Sequence, residues 1–419
     1  MKKTLIAVAA AAALTATSAF AEITFGAWLR VLASPVASTG EDIIAGVQNS
    51  WGWGARTARI NINGTSEDGK AGFVMGVYND FESGLGQGDD AYFWVKPVDT
   101  VKVSVGKFDS STNGLRGDFT YGSWNWLRPG NWAFDGEGLT FDGVSKNGLM
   151  VEADPMDGLH AFAVIPMSSS YASAEDVYRN IQAGFGYAIE GVGKLKAQFV
   201  GDYSYTQKDT KYGDWYIGKD GTITRDETKN AAGKKDEDKT TGKIGVAFDL
   251  TSVENLYVTV GARFGIADKD LAPDYLKMAF TAGASYQVSE TMKFSADGGY
   301  VQYQDKFNAD DDSLFFVGAG LDFAVMDGLN AVADVRYMSN KYGKAGDDGA
   351  ISFLVGVNKS VSSNGSLGIG FQGATNGCGF TWYDHKAGII AGKSFTPGEN
   401  GGKGDEFTWA IPVSVSVWF

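Results

Sequence analysis

Apolar and polar side chains alternate without interruption over the last thirteen residues of the chain. A β-strand points successive side chains to opposite faces, so this segment predicts a strand with one continuously apolar face and one small or polar face. The apolar positions are Phe407, Trp409, Ile411, Val413, Val415, Val417 and Phe419. Chain ends usually fray into polar residues, so we expect a segment that stops on an aromatic residue to be held in a sheet.

The same period of two recurs inside the chain, most clearly over residues 256–266, 277–288 and 329–338. In the first of these, Leu256 and Val258 share one face, and Tyr257 and Thr259 lie on the other. A soluble sandwich also alternates, but its polar face usually carries dense charge. Here the polar positions are rich in Gly, Ser and Thr with scattered single charges, which is typical of a barrel with a lipid-facing exterior and a watery lumen.

Short turns and long polar segments alternate along the sequence after residue 22. Asp-Gly and Asn-Gly pairs, which accept the positive φ of tight hairpins, mark several of the short turns. The eight short turns are at residues 66–69, 96–99, 155–158, 191–193, 252–255, 288–291, 326–328 and 362–365. The nine long connections are at residues 34–50, 83–88, 110–138, 167–179, 207–241, 267–276, 305–312, 340–349 and 375–405. The sequence therefore predicts an all-β fold, a transmembrane antiparallel β-barrel of 16–18 strands with 18 favoured.

The first 21 residues have the features of a cleaved secretory signal peptide. Lys2 and Lys3 precede an apolar, alanine-rich run at residues 5–13, and Ala19-Phe20-Ala21 is a small-x-small cleavage site. The apolar run is too short for a membrane anchor. We therefore expect residues 1–21 to be removed and residues 22–419 to form one domain.

Composition excludes several other classes of protein. The formal net charge of −14 argues against nucleic-acid binding, because phosphates attract basic surfaces. The single cysteine cannot form an intramolecular disulfide. The two histidines, His160 beside a turn and His385 in a loop, do not suit a hydrolase triad. No Cys/His cluster or phosphate-binding loop is present, so the sequence predicts no enzyme, no cofactor and no metal site.

Two segments resemble Gram-negative outer-membrane porins. The ending Val-Ser-Val-Trp-Phe is similar to the signal that the barrel-assembly machinery reads, which assigns that role to Trp418 and Phe419. The Val-Gly-Lys-Phe sequence at residues 105–108 resembles the strand that precedes the constriction loop of general porins. The resemblance implies that residues 110–138 fold into the channel. It also implies an outer-membrane location, contacts with lipid and lipopolysaccharide, and a homotrimer as one possible assembly.

The expected inward loop carries both charged and aromatic residues. Opposed arginines and carboxylates would set a transverse field across a constriction and select permeants by size and charge. Alternatively, its rings could stack on sugars, or pack on the wall as part of an interfacial girdle. The candidate constriction charges are Asp109, Arg116, Asp118, Arg128, Asp135 and Glu137, and the candidate sugar-stacking rings are Tyr121, Trp124, Trp126 and Trp132.

Charged residues on the polar face of the predicted strands are candidate pore-lining groups. A charge on the lipid face would cost roughly 2–4 kcal/mol at the bilayer midplane, so these residues belong inside the barrel or at a rim. The cationic candidates are Arg59, Lys102, Lys196, Arg263 and Arg336, and the anionic ones are Asp202, Asp249, Asp297, Asp322 and Asp334. Their balance, with the acidic excess of the chain, predicts a weak preference for cations.

Barrels of this strand number leave an aqueous channel. The sequence therefore predicts an outer-membrane porin for passive diffusion of small hydrophilic solutes and ions. A sugar-selective porin is one alternative. An alternative from a different class is a surface adhesin or structural outer-membrane protein whose loops bind host or matrix.

Overall fold

The alternating segments form strands that pair in chain order. The computed structural model describes residues 22–38, 43–48, 58–80, 84–108, 147–168, 174–206, 215–217, 223–225, 237–267, 275–305, 313–339, 349–375, 388–390, 393–395, 407–411 and 413–419. The expected signal peptide and the whole expected constriction loop lie outside these residues.

The first twelve described strands are Glu22–Ser38 (β1), Ile43–Gln48 (β2), Ala58–Thr65 (β3), Ala71–Asp80 (β4), Gly84–Val98 (β5), Val101–Lys107 (β6), Asn147–Met156 (β7), Leu159–Pro166 (β8), Gln182–Ile189 (β9), Gly193–Thr206 (β10), Trp215–Ile217 (β11) and Ile223–Arg225 (β12). The next twelve are Glu237–Leu250 (β13), Leu256–Ala267 (β14), Leu276–Ser289 (β15), Met292–Tyr303 (β16), Ser313–Met326 (β17), Leu329–Met338 (β18), Ala350–Ser362 (β19), Gly365–Ala374 (β20), Gly388–Ile390 (β21), Lys393–Phe395 (β22), Thr408–Ala410 (β23) and Val413–Trp418 (β24).

These strands close into an antiparallel ring. Neighbours in sequence pair from β3 to β10 and from β13 to β20, and β10 pairs with β13. β23 and β24 form two parts of one strand between β20 and β1, while β2 and β3 occupy the other edge of β1. The ring therefore has eighteen strands, which confirms the favoured prediction.

The first long connection is much shorter than the sequence suggested. Residues 34–50 were expected to form a loop, but β1 runs to Ser38 and β2 begins at Ile43. The expectation was wrong because β1 tolerates Pro35, which cannot donate a ladder hydrogen bond. The β1–β2 pairing has a register shift between Ser34 and Ala37, and this irregularity accommodates the proline.

Other long connections contain short elements of their own. β11 pairs with β12 and β21 pairs with β22, each as a separate two-stranded sheet. The connection between β8 and β9 contains a helix, Ala174–Tyr178 (α1). Within the described residues no helix is long and apolar enough to span a membrane.

All eight predicted short turns join neighbouring strands, and together they define the short-turn end of the barrel. Backbone geometry explains their residue types: Gly69, Gly158 and Gly328 have φ of 66°, 78° and 67°, and Asn255 has φ of 64°. These values lie in the left-handed region, which glycine and asparagine tolerate best.

The turn between β3 and β4 also depends on a charge. The Ser66 hydroxyl donates to Asp68 Oδ1 at 2.6 Å, and the Lys70 amide donates to the same oxygen at 3.0 Å. These hydrogen bonds lower the pKa of the exposed Asp68 carboxyl from its ordinary value of 3.8. The stability that these hydrogen bonds give to the turn is therefore present above pH 3.8, the ordinary pKa of the carboxyl. It is lost as pH falls through the lowered pKa.

The wall has two chemically different faces. On β14 the outward side chains of Val260, Phe264 and Ile266 are 43–48% exposed, whereas the inward Thr259 and Arg263 are 1% and 3% exposed. Phe264 packs edge-on against Phe280 of β15, with ring centroids 6.0 Å apart. The alternation seen in the sequence is thus the alternation of exterior and lumen.

Close backbone approach should make Gly265 of the wall sensitive to substitution. A Cβ at Gly265 would lie 1.7 Å from the carbonyl oxygen of Leu276, whereas a Cβ at Gly86 would meet nothing within 4 Å. We expect Gly265→Ala to destabilise the barrel by about 1–3 kcal/mol, as overpacking does, and Gly86→Ala to have little effect. Urea unfolding in detergent measures both, and equal midpoints would contradict the observed close approach.

Candidate functional site

The inner face of the ring brings together charged residues from strands far apart in sequence. Arg59, Lys102, Lys196 and Arg263 lie there, as do the carboxylates of Asp249, Asp297 and Asp322. The backbone register places Arg336, Asp202 and Asp334 on the same face. Their roles in permeation stay predictions.

Arg59 is held by three side chains from the first part of the wall, and we call these four residues the Arg59 cluster. Its Nη1 donates to the Tyr78 hydroxyl at 2.9 Å, and its Nη2 lies 3.1 Å from Asp90 Oδ2. Its Nε donates to Asn61 Oδ1. Because the Asp90 side chain is 3% exposed and that of Arg59 is 13% exposed, solvent screens this ion pair less than a surface pair.

Aromatic and glycine residues complete the surroundings of Arg59. The guanidinium carbon lies 5.1 Å from the Tyr78 ring centroid, within the range of a cation–π interaction. Trp28 packs edge-on against Tyr78, with ring centroids 6.2 Å apart. A Cβ at Gly76 would lie 3.3 Å from Arg59 Nη2, so the glycine leaves room for the guanidinium. The arginine is therefore fixed against the wall.

Lys102 pairs with a carboxylate on the next strand. β6 and β7 place Lys102 directly opposite Glu152, and Lys102 Nζ lies 2.6 Å from Glu152 Oε2. Both side chains remain partly accessible, at 28% and 16%. This pair can therefore contribute two opposite charges to the inner surface.

Lys196 forms the most deeply buried ion pair among those of the described inner wall. Its Nζ lies 2.7 Å from Asp249 Oδ2, and the two side chains are 2% and 5% exposed. The Thr259 hydroxyl donates to Asp249 Oδ1 at 2.8 Å, so the contact extends over β10, β13 and β14. Buried charges are tolerated when they are paired and hydrogen-bonded in this way.

Apolar side chains also point inward, which the sequence reasoning did not anticipate. Phe108, Met150, Phe162 and Val164 are 0–5% exposed and form a cluster with Tyr92, which we call the inner apolar patch. The Tyr92 and Phe108 ring centroids are 5.3 Å apart. The patch lies beside the start of the connection that joins β6 to β7, on the side of the barrel opposite to the short turns.

All of the expected loop site lies outside the described residues. This applies to the charges Asp109, Arg116, Asp118, Arg128, Asp135 and Glu137, and to the rings Tyr121, Trp124, Trp126 and Trp132. Trp418 and Phe419 are described and lie at the junction of β24 with β1, which we call the seam. Phe419 exchanges two backbone hydrogen bonds with Ala27, at 2.8 and 3.0 Å. The assembly role of both residues stays a prediction.

Several residues of the inner wall were missed because they gain their roles only through pairing. Tyr78, Asp90 and Glu152 became candidates only when the strand register placed them beside a cation. Their position on the inward parity was a usable signal, since a carboxylate there needs a partner or water.

Two further observations concern catalytic and metal-binding chemistry. His160 Nδ1 lies 2.8 Å from Asp154 Oδ1 near the turn between β7 and β8. Among the described residues, no group of three or more His, Cys, Asp or Glu side chains could hold a metal ion.

Solved structures of outer-membrane proteins are similar to this chain. The anion-selective porin from Comamonas acidovorans matches with a TM-score of 0.51 at 15% sequence identity, over 95% of this chain and 99% of that one. A triple mutant of the porin from Rhodopseudomonas blastica matches with a TM-score of 0.46 at 17% identity, over 95% of this chain and 100% of the other. OmpT, an outer membrane protein of Vibrio cholerae, matches with a TM-score of 0.43 at 13% identity, over 95% of this chain and 97% of the other.

Sequence comparisons add nothing to this result, since no protein-family model and no curated protein matches the chain. The Comamonas match, at 15% identity, shows the fold alone. The chain has the fold of the Gram-negative porins, built here with eighteen strands.

The Lys196–Asp249 pair should show strong coupling in stability. Lys196→Met leaves Asp249 without its cation in a buried position, which typically costs roughly 3–5 kcal/mol. The double variant Lys196→Met/Asp249→Leu removes both charges and should recover most of that loss. Urea unfolding of the three proteins in detergent measures the coupling; additive losses in the double variant would show that the pair does not matter as a unit.

Proposed function

We propose that this protein is an outer-membrane channel, not an enzyme, through which small hydrophilic solutes and ions diffuse passively. The observation that carries the proposal is the closed eighteen-stranded ring with apolar side chains outside and charged or polar ones inside. In hydrocarbon every backbone polar group must be paired within the protein, and a closed barrel satisfies this requirement. A ring of this size encloses more space than its wall side chains fill.

The location and assembly of the protein belong to the same proposal. Residues 1–21 direct export, and the short turns face the periplasm while the long connections face outward, as in bacterial barrels. The barrel-assembly machinery inserts the chain by reading the segment that ends in Trp418 and Phe419. The barrel then contacts lipid and lipopolysaccharide, and a homotrimer is the proposed assembly.

Single-channel recording tests the proposal directly. Folded protein added to a planar bilayer should give stepwise, ohmic increases in conductance. An absence of steps from protein that shows the heat-modifiable mobility of a folded barrel would reject the channel. That result would favour the adhesin or structural alternative, which needs the loops and not the lumen.

The inner apolar patch supports a constriction inside the channel. Phe108, which directly follows β6, and Met150 of β7 are 1% and 0% exposed and belong to this patch. Apolar surface in an aqueous lumen is stable when another apolar surface covers it. The aromatic residues of the segment 110–138, which is connected to β6 and β7, are the proposed cover. In this arrangement Arg116 and Arg128 would face the permeation path.

The inner wall argues for weak charge selectivity. Arg59, Lys102 and Lys196 each lie within 3.1 Å of a carboxylate oxygen, so the net field from each pair falls off rapidly. Charges in solvent-exposed loops are screened over about 8 Å at physiological salt. The acidic excess of the chain then leaves a small preference for cations, as proposed from the sequence.

Charge removal in the proposed constriction should change selectivity. Arg116→Ala/Arg128→Ala should increase both cation preference and conductance, because two positive side chains leave the narrowest region. Lys208→Ala/Lys211→Ala removes the same charge from a different long connection and should change neither. Reversal potentials under a salt gradient measure the effect. Equal shifts in both double variants, or noisy gating without any shift, would contradict a constriction lined by these arginines.

A further inference from the structure

The short-turn end of the barrel carries charge of one sign. The eight connections there are residues 66–70, 99–100, 157–158, 190–192, 251–255, 290–291, 327–328 and 363–364. The first seven each contain at least one carboxylate, and all of these residues are exposed: Glu67, Asp68, Asp99, Asp157, Glu190, Glu254, Glu290 and Asp327. Lys70 is the only cation within the eight connections, so eight negative charges face one positive charge there.

Four of these carboxylates lie on neighbouring hairpins and have no partner. The hairpins β7–β8, β9–β10, β13–β14 and β15–β16 follow one another around the ring. We call their turn carboxylates the acidic arc, which consists of Asp157, Glu190, Glu254 and Glu290. Among the described residues, no hydrogen bond or ion pair joins a side chain of the arc to another residue. The lysines closest to turns outside the arc are Lys70, Lys96 and Lys359.

The inner wall at this end does not neutralise the arc, because its lysines face carboxylates of the same wall. Lys102 Nζ lies 2.6 Å from Glu152 Oε2, and Lys196 Nζ lies 2.7 Å from Asp249 Oδ2. Lys293 of β16 lies directly opposite Asp322 of β17, and Lys194 of β10 lies opposite Asp249 of β13. The exposed turn carboxylates are therefore the unbalanced charge of this mouth.

The spacing of the arc decides how it can act on ions. Neighbouring strands are about 4.8 Å apart and tilted by about 40°, so the turns of adjacent hairpins are roughly 12 Å apart. Oxygen ligands of a bound cation lie about 2.3–2.6 Å from it, so carboxylates at this spacing cannot share one ion. The arc is therefore a source of electric field and not a metal site.

The distance from the arc to the barrel axis sets the range that this field must cover. A ring of eighteen such strands has a radius of roughly 18 Å. Charges are screened over about 3 Å at 1 M salt, about 8 Å at physiological salt and about 30 Å at 0.01 M. The field of the arc therefore reaches the axis in dilute salt and not in concentrated salt.

We propose that the acidic arc sets the ion selectivity of the short-turn mouth and enriches cations there when ionic strength is low. Rings of carboxylates select cations in other channels by the same attraction. At physiological salt the contribution is small, which agrees with the weak selectivity argued from the paired inner wall. The inference rests on the proposed channel function and names residues far from the proposed constriction as determinants of its selectivity.

Neutralising the arc tests the proposal. Asp157→Asn/Glu190→Gln/Glu254→Gln/Glu290→Gln replaces four exposed carboxylates by amides of similar size, and Asn-Gly suits a tight turn as Asp-Gly does. For four charges at about 18 Å in water, the ratio of K⁺ to Cl⁻ permeability should fall about two- to fivefold near 0.01 M KCl and stay unchanged near 1 M. Reversal potentials under a shallow KCl gradient measure this ratio.

The matched control keeps the charge and changes only the side-chain length. Asp157→Glu/Glu190→Asp/Glu254→Asp/Glu290→Asp should retain the wild-type permeability ratio at both salt concentrations. A wild-type ratio in the neutralised protein in dilute salt overturns the proposal. So does an equal decrease in the control, which would reflect altered turns and not lost charge. A decrease that persists near 1 M overturns it as well, because a charge at the rim cannot act through that screening.

Failure of this proposal is distinguishable from failure of the channel. An absence of conductance steps in the wild type rejects the channel and this inference together. Conductance steps with an unchanged permeability ratio reject only the role of the acidic arc. Heat-modifiable mobility, measured for each variant, ensures that a changed ratio comes from folded barrels.

Discussion

Closure of the sheet is the constraint on which the rest of this structure depends. An open edge leaves unpaired N–H and C=O groups, which hydrocarbon cannot satisfy. Here the two ends of the sheet meet at the seam, where β1 pairs with β24 from Trp28↔Trp418 to Ala33↔Val413. Phe419 and Ala27 exchange two more backbone hydrogen bonds beyond that ladder. Once the ring is closed, each strand has an outside and an inside.

The closed ring decides where charge can be placed. With apolar side chains outside, ionisable groups face inward, and Arg59, Lys102 and Lys196 each lie beside a carboxylate of another strand. The Arg59 cluster and the Lys196–Asp249 pair bring together residues 31 and 53 positions apart in sequence, respectively. Such pairs fix long side chains against the wall, so they shape the lumen as well as its electrostatic field.

Much of the fold could be predicted from the sequence because strand periodicity and turn chemistry are local. The alternation at Leu256–Ala267 and the turn residues around Asn255 were sufficient to place those elements. Side-chain partners were not predictable in the same way. Arg59 reaches Asp90 across β4, and β4 and β5 shift register between Met75 and Val77. A bulge of this kind has no clear local signature, so the pairing had to come from the structure.

The inner apolar patch was missed for a related reason. Met150 and Phe162 break the rule that inward positions are polar, and only tertiary packing accounts for them. Periodicity identifies the face on which a residue lies but does not identify its neighbours.

The central claim is that the barrel wall separates lipid from a lumen, residue by residue. Spin labels placed singly at each position of Leu256–Ala267, in a Cys378→Ser background reconstituted into bilayers, test it most directly. The account predicts maxima of collision with lipid-soluble oxygen at the even-numbered positions and minima at the odd-numbered ones. Uniform accessibility along the strand, or maxima at the odd-numbered positions, would contradict it.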